Sequence, residues 1–228
     1  MDTHNKTAQR VAAHAKEILD RIAILENPYF ETLQNGDMSL EQFRKTQEQF
    51  YFAVVFFSRP MAALVGRIPN AKDRLDILHN VLEEHGKFDE DGFHATSFQK
   101  FLKSIGSEID NFDQVALSPQ IRAFNSVLTT SCTFDELEVG IACMGIIERA
   151  FADISALIAR AVVSREWVEQ VDLYHYKLHA ELDIQHAEEF FTVIEQYWDD
   201  EKKQYAIKQG LELGAYIFDS LYRDLLRW

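Results

Sequence analysis

Signals that start and stop α-helices recur along the whole chain, and the alternating pattern of a half-buried β-strand is almost absent. In a capping box, a Ser or Thr hydroxyl and a Glu or Gln side chain three residues later satisfy free backbone amides at a helix start. Such boxes stand at three places: Ser39–Gln42, Thr96–Gln99 and Thr133–Glu136. Ser118 before Pro119 marks another helix start, and Asn70 and Gly86 bracket one more helix. The sequence therefore predicts an all-α fold.

The apolar periodicity between these signals predicts a bundle of helices. Their expected bounds are about residues 4–25, 28–35, 39–66, 71–85, 97–105, 119–130, 134–163, 173–197 and 200–226. Pro60 is expected to kink the third helix, because proline lacks the amide that the helix ladder uses. In such a bundle, a functional site is built from side chains that project inward from facing helices.

The composition predicts one domain over residues 1–228 and disfavours several classes of function. The chain has 228 residues, 47% of them hydrophobic, and no linker or repeat interrupts it. Its net charge is −14 with scattered Lys and Arg, which disfavours a nucleic-acid partner. The N-terminus lacks the apolar segment of a signal peptide, and the apolar run at 50–57 is too short to span a membrane. Cys132 and Cys143 form no disulfide framework, so a cytoplasmic protein without membrane attachment is expected.

The stretch HAELDIQHAEEF places two imidazoles and one carboxylate on one side of a predicted helix. His179, Asp183 and His186 are spaced i, i+4 and i+7, which at about 100° per residue confines them to an arc of roughly 60°. Apolar neighbours such as Leu182 and Phe190 indicate that this side is partly buried. A His–Asp pair that satisfies its own hydrogen bonds explains the pattern as well as a metal site does.

Further polar residues lie on or beside apolar helix faces. Glu148 lies on an apolar stripe, where an ionised carboxylate costs several kcal/mol unless an arginine or a bound cation pairs with it. Glu84 is expected to point inward, whereas the adjacent Glu83 is expected to be solvated. His94 follows a polar loop, and His85 is the alternative to it. A lone histidine of either kind is more often satisfied or solvated than a metal ligand.

Three carboxylates and three imidazoles form the candidate metal set: Glu84, His94, Glu148, His179, Asp183 and His186. Ligands of these types without thiolate suit iron or manganese, whereas zinc more often recruits cysteine. Three carboxylates neutralise most of the charge of two divalent ions, and a bundle core supplies the geometry for bridging them. The Glu-x-x-His motif of ferritin-like di-iron proteins is absent from the sequence, which excludes that class.

The segments that carry these residues resemble the heme-oxygenase-like di-iron oxidases and oxygenases. The segments are NVLEEHG, a histidine before an aromatic-rich helix (HATSFQKFLKSIG), IIERAF, and YHYKLHAELDIQH. The His-x-x-x-Asp-x-x-His helix is the most specific mark of that superfamily, and the resemblance runs from ENPYFETL to the last helix. It implies a single-domain heme-oxygenase-like helical bundle, the fold of the CADD-like, TenA-like and PqqC-like proteins.

The resemblance also implies that the six candidate residues bind two Fe²⁺ ions, with manganese as an alternative metal. One ion would be held by His94, Glu148 and His179. The other would be held by Asp183 and His186, with Glu84 as a bridge. The implied function is activation of the cosubstrate O2 and oxidation of a small organic substrate, amino-acid-like or fatty-acid-like. The resemblance leaves open whether an external electron donor takes part and whether the chain forms a homodimer.

Three other functions occur or are recorded within this fold. They are a self-modifying synthase of para-aminobenzoate, a metal-free TenA-like hydrolase with a cysteine nucleophile, and a non-catalytic interaction protein. Cys132 and Cys143 have no His or carboxylate placed to activate them, which disfavours the hydrolase. The intact set of six inward polar residues disfavours a non-catalytic interaction protein, because such a protein does not need polar side chains in its core.

Tyr51, Arg59 and Arg149 are the candidate substrate-binding residues. An arginine can bind a substrate carboxylate through two parallel hydrogen bonds, although a surface salt bridge explains each arginine equally well. Hydrophobic walls that exclude water are expected from Phe50, Tyr51, Val54, Met144 and Phe151. Ordinary core packing explains any one of these five residues as well.

The chain departs from the self-modifying relatives at residues that matter for their chemistry. In those relatives an internal tyrosine supplies the product ring and a lysine is implicated as the amino donor. Ile158 stands at the position of that lysine, and Ile147 and His175 stand where tyrosines are expected. Tyr29 remains near the position of the consumed ring. These departures predict turnover of an external small molecule by a protein that stays chemically intact.

Overall fold

The computed structural model describes residues 8–227, and this part of the chain contains nine α-helices. They are α1 (Gln9–Ile22), α2 (Pro28–Asn35), α3 (Leu40–Arg67), α4 (Asp73–Glu84), α5 (His94–Ser104), α6 (Pro119–Thr133), α7 (Leu137–Ser164), α8 (Tyr174–Glu195) and α9 (Glu201–Leu225). Between residues 8 and 227, the only β-type pairing is an isolated bridge between His85 and Phe93. The all-α prediction is confirmed. The expected start of the first helix at residue 4 lies outside the described residues.

Two of the predicted helix caps are confirmed. Ser39 caps α3 and Ser118 caps α6, each by accepting the amide of the residue three positions later, at 3.1 and 3.4 Å. α3 continues through Pro60 to Arg67, and a kink at that proline stays a prediction. The beginnings of these two long helices therefore follow directly from the local sequence.

Two other predicted caps are wrong. Thr96 lies inside α5, which begins at His94, and its hydroxyl donates to the Glu90 carbonyl at 3.0 Å. Thr133 is the last residue of α6, and its hydroxyl donates to the Thr129 carbonyl at 2.5 Å. In both cases the hydroxyl bonds back to an earlier carbonyl instead of accepting a free amide, which is the competing local arrangement for such residues.

α7 runs through the middle of the bundle and packs along α8 and α9. The close approach depends on glycine. A Cβ atom at Gly145 of α7 would lie 2.7 Å from Cε1 of Phe191 on α8, and one at Gly210 of α9 would lie 2.3 Å from the Val139 carbonyl oxygen. Because these positions lack a side chain, side chains elsewhere on α7 and α8 can meet in the interior.

Gly145→Ala is expected to destabilise the fold by about 1–3 kcal/mol, because the added methyl group overpacks the α7–α8 contact. Urea denaturation of the variant measures this change. Gly66→Ala is the matched control, since a Cβ at Gly66 in α3 meets nothing within 4 Å. The control is expected to stabilise the protein by up to roughly 0.5–1 kcal/mol, because alanine is the better helix former. Equal effects of the two changes would contradict the close-packing argument.

α3 is long and apolar enough, by length and composition alone, to cross a membrane. Its most apolar 18-residue window has a mean hydropathy of 1.3, and 39% of that window is buried in the bundle. The same helix carries buried amides that bond inside the protein. Gln49 donates to the Ala116 carbonyl at 3.1 Å, and Gln47 donates to the Tyr29 hydroxyl at 2.8 Å. These hydrogen bonds show that α3 packs against other segments of the bundle.

Candidate metal centre

Six polar side chains from four helices converge in the interior of the bundle. Glu84 is the last residue of α4, His94 is the first residue of α5, and Glu148 lies in the middle of α7. The other three project from α8: His179, Asp183 and His186. Five of the six are buried residues, with Asp183 and His186 fully enclosed, and the side chain of the sixth, Glu84, is 7% exposed. The structure thus brings together every residue of the candidate metal set.

His94 reaches the centre because the loop after α4 folds back on itself. Gly86 has a φ of +56°, and a Cβ there would lie 2.5 Å from the carbonyl carbon of Gly92, so glycine is required. An antiparallel bridge between His85 and Phe93 closes the loop. α5 therefore begins beside the end of α4, and His94 is 3% exposed instead of being solvated.

Short contacts organise the half of the centre that contains His94 and His179. His94 Nδ1 lies 2.8 Å from Glu84 Oε1, and the His94 and His179 rings are 4.5 Å apart between centroids. His179 Nδ1 lies 2.8 Å from Asp183 Oδ1. This contact leaves His179 Nε2 as the atom available to a metal, which is how a carboxylate commonly orients a ligating histidine.

Glu148, Asp183 and His186 form the other half of the centre. One ligand atom from each lies within 4.8 Å of the other two. His186 Nδ1 is 3.9 Å from Glu148 Oε1 and 3.8 Å from Asp183 Oδ1. These separations are too long for hydrogen bonds and suit ligands that each lie about 2 Å from one shared ion. The family resemblance groups Glu148 with His94 and His179, whereas the structure brings it beside Asp183 and His186.

Buried polar atoms without partners surround the space between the two halves. Among the described residues, five such atoms have no hydrogen-bond partner: Glu148 Oε1, Asp183 Oδ2, His94 Nδ1, His179 Nε2 and His186 Nδ1. His94 Nδ1 is close to Glu84 but is not aligned for a hydrogen bond. Buried polar atoms in proteins are nearly always satisfied, so a cluster of orphans needs an explanation. Cations bound in this space would satisfy these atoms.

The charges in the centre also favour a cation. Burial raises the pKa of the Glu148 carboxyl well above its usual range, and the charges of Asp183 and Glu84 raise it further. Burial acts in the same direction on Glu84, but the adjacent His94 outweighs it and lowers that pKa. Burial acts to lower the pKa of His94, and the charge of Glu84 raises it overall. A divalent ion would stabilise the ionised form of the crowded carboxylates.

Glu83 contacts the candidate metal centre, contrary to the expectation from the sequence pattern. It was expected to be solvated, but its side chain is only 9% exposed and its Oε2 lies 2.7 Å from His186 Nε2. Its Oε1 also pairs with Lys87 Nζ at 2.9 Å. If His186 donates its Nε2–H to Glu83, its Nδ1 carries the lone pair that faces Glu148 and Asp183. The helical period of α4 places Glu83 on the same face as exposed residues. Its buried contact is with His186 on α8, so the pattern of α4 alone does not indicate it.

His85, the alternative to His94, does not reach the centre. Its side chain is exposed, and its Nδ1 lies 2.7 Å from the Val81 carbonyl oxygen of its own helix. His85 is therefore not the alternative to His94 in this centre. The physical reason is that α4 ends at Glu84, so the chain direction changes at His85 and turns the imidazole outward.

A cavity lies against one side of the centre. Four polar residues reach it: Glu84, Glu148, His175 and His179. The other walls are apolar and consist of Phe50, Ala53, Val54, Phe57, Phe124, Ile147, Phe151 and Phe218. Of the expected wall residues, Phe50, Val54 and Phe151 lie at the cavity, whereas Tyr51 and Met144 do not. The volume of about 40 Å³ holds only a few water-sized groups, so a larger substrate requires the apolar walls to move.

The three candidate substrate-binding residues lie away from this cavity. Tyr51 is half-buried and its hydroxyl bonds to α5, while Arg59 is exposed. Arg149 pairs with Asp153 one turn along α7, at 3.0 Å. Because Glu148 points into the centre, the next residue on the helix is rotated by about 100° away from it. Tyr51, Arg59 and Arg149 do not line this cavity, and their role in substrate binding stays a prediction.

Comparison with known proteins places this centre in a family. The family described as iron-containing redox enzymes has a model that matches residues 44–217. The chain belongs to this family. The matched region contains all six residues of the centre and the helices that carry them.

Proteins similar to this chain include a curated protein and solved structures. The 4-aminobenzoate synthase of Nitrosomonas europaea is 22% identical over 192 residues, which cover 79% of this chain and 76% of the relative. A CADD-like protein of unknown function from Nostoc punctiforme superposes with a TM-score of 0.79 at 15% identity, covering 96% of this chain and 97% of that one. A domain with a heme oxygenase-like fold from Shewanella denitrificans gives 0.74 at 16% identity, covering 96% and 90%. The heme-oxygenase-like fold prediction is confirmed.

The donor set of the centre fits the iron of the family. Carboxylate oxygens and imidazole nitrogens without thiolate suit iron in oxidation chemistry. Both cysteines are buried away from the cavity, and burial raises the pKa of Cys132 to about 12 and that of Cys143 as well. A thiol with such a pKa is not a ready nucleophile, which weighs against the metal-free hydrolase.

Proposed function

We propose that this chain is a non-heme di-iron oxidase or oxygenase that uses O2 to oxidise a small organic substrate. The observation that carries the proposal is the set of five buried, unpartnered ligand atoms between two groups of carboxylates and imidazoles. One metal suffices to explain Glu148, Asp183 and His186. The remaining orphans, Nδ1 of His94 and Nε2 of His179, lie outside this group and call for a second ion.

The six residues would have different roles in such a site. His94 and His179 would hold one ion, and Asp183 and His186 would hold the other. Glu84 and Glu148 would serve both, and the charges of His94, His179 and His186 all act on Glu84. When bound, two Fe²⁺ ions supply electrons to dioxygen, and an external donor restores them. Manganese remains the alternative metal for this donor set.

The apolar cavity wall contributes by excluding water. Phenylalanines from α3, α6, α7 and α9 enclose the side of the centre that a substrate would approach. Exclusion of water strengthens the electrostatic interactions of the ligands and protects reactive species from side reactions. The substrate that fits this wall is a small molecule with an apolar body.

Anaerobic reconstitution with Fe²⁺, followed by removal of loose metal and iron analysis, tests the proposal directly. About two irons per chain are expected from the two-site division of the ligands. Oxygen consumption by the reconstituted protein in the presence of a reductant is expected to exceed that of the metal-free protein. A protein that retains no iron, or iron that does not react with O2, would contradict the proposal.

A second candidate function is self-modifying synthesis of 4-aminobenzoate, which the name of the Nitrosomonas europaea relative favours. Tyr29 is fully buried and its hydroxyl bonds to Thr46 and Gln47 at 2.6 and 2.8 Å. Gln47 in turn accepts a hydrogen bond from Tyr176, whose ring lies 6.3 Å from Phe151 at the cavity wall. The missing lysine and tyrosines weigh against this function.

Glu83→Ala is expected to weaken iron binding at His186 by about 10–100-fold, because His186 then loses the partner that fixes its orientation. Titration of the metal-free protein with Fe²⁺ under anaerobic conditions measures the loss. Glu181→Ala is the matched control, since Glu181 is an exposed carboxylate on α8 near the same ligands. Unchanged affinity in Glu83→Ala would show that the contact between Glu83 and His186 has no part in metal binding.

A further inference from the structure

His175 is a buried histidine at the cavity that the di-iron proposal does not use. It lies on α8 one turn before His179, is 1% exposed, and forms part of the cavity wall. The two rings are 4.4 Å apart between centroids. A buried imidazole has two ring nitrogens to satisfy, so each needs to be accounted for separately.

One ring nitrogen of His175 is fixed by Ser97 of α5. The Ser97 hydroxyl oxygen lies 2.9 Å from His175 Nδ1 and 2.9 Å from the His94 carbonyl oxygen. A carbonyl can only accept, so the single proton of the hydroxyl goes to His94. His175 Nδ1 must then be the donor to Ser97. The neutral imidazole consequently carries its lone pair on Nε2.

The other ring nitrogen of His175 has no partner. Nε2 is buried and forms no hydrogen bond to any residue that the structure describes. The other residues that line the cavity with His175 are apolar apart from Glu84, Glu148 and His179, which belong to the candidate metal centre. None of the described lining residues is Lys or Arg, so the cavity offers no side-chain cation to a carboxylate.

We propose that His175 Nε2 is the hydrogen-bond acceptor that binds an uncharged O–H or N–H group of the substrate. The ligand class is a small molecule with an apolar body and one neutral donor, such as an alcohol, a phenol or an uncharged aromatic amine. The apolar walls bind the body, and His175 sets the orientation of the donor next to the centre. This inference rests on the proposed function only in taking the cavity as the substrate site.

Phenol and toluene are suitable probes, because they differ in a hydroxyl and a methyl group of similar size. Their dissociation constants are measured by calorimetry or NMR titration with the wild type and with His175→Leu, which keeps the side-chain volume but removes the acceptor. The ratio of phenol to toluene affinity is expected to fall about five- to tenfold in the variant, the effect of one neutral hydrogen bond. Phe57→Leu is the matched control, since it reshapes the wall without removing a polar atom.

Iron content separates this inference from the proposed function. His175→Leu is expected to retain the iron stoichiometry of the wild type. A loss of iron in this variant would make His175 a metal ligand and overturn the inference, while leaving the di-iron proposal intact. An unchanged affinity ratio would also overturn it. A protein that discriminates the probes through His175 but binds no iron would support the inference and contradict the proposed function.

Discussion

Glu148→Ala and His179→Ala are each expected to abolish binding of the iron pair. Glu148 is 3% exposed and its Oε1 lies 3.9 Å from His186 Nδ1, at the junction of the two halves of the centre. Removing it takes away a carboxylate ligand and one of the negative charges that would neutralise the ions, and uncompensated charge in a buried site costs several kcal/mol. Removing His179 takes away a ligand atom and also the partner of Asp183 Oδ1. Iron analysis after anaerobic reconstitution measures both effects.

Controls for these variants come from the same chain. Glu138→Ala removes another buried carboxylate from α7, one that pairs with Lys203 at 3.0 Å instead of facing the centre. His85→Ala removes the exposed histidine beside Glu84. Both controls are expected to bind iron as the wild type does. Native-like iron content in Glu148→Ala and His179→Ala would show that the six residues do not form the metal site.

The protein is expected to keep its full mass through reaction with Fe²⁺, O2 and a reductant. Ile158 is fully buried where the self-modifying relatives have a lysine, and Ile147 lies at the cavity where they have a tyrosine. Without an amino donor and with fewer tyrosines, conversion of Tyr29 into a product is not expected. Intact-protein mass spectrometry before and after the reaction distinguishes the two outcomes, because loss of a tyrosine side chain changes the mass by an easily resolved amount.

The 4-aminobenzoate synthase of Nitrosomonas europaea is the positive control for release of 4-aminobenzoate. Tyr29→Phe provides a second comparison, since it keeps the ring but removes the hydroxyl that bonds to Thr46 and Gln47. Oxygen consumption is expected to be similar in this variant and the wild type. Release of 4-aminobenzoate together with loss of the Tyr29 side chain would establish the self-modifying function in place of turnover of an external substrate.

Most of the metal centre can be read from the sequence because it lies on long, regular helices. His179, Asp183 and His186 share one side of α8, and Glu148 lies on the apolar stripe of α7. On a helix, the spacing of apolar neighbours determines which face is buried, so these four residues are expected inside without any knowledge of the fold. Glu84 follows from the same periodicity on α4. The helix starts at Ser39 and Ser118 are equally local, since a cap bonds within its own first turn.

Contacts between distant segments are decided only in the tertiary structure. The choice of His94 over His85 depends on how the loop at Gly86 folds back, and Thr96 gives a false helix start because α5 begins earlier. Glu83 is buried by His186, a residue 103 positions away in the chain. No local pattern records such a partner, because a side chain on the edge of a helix is exposed or buried according to which other helix packs against it. The sequence by itself therefore determined the helices and their inward faces, whereas the packing of α4 and α5 against α8 decided which edge residues join the centre.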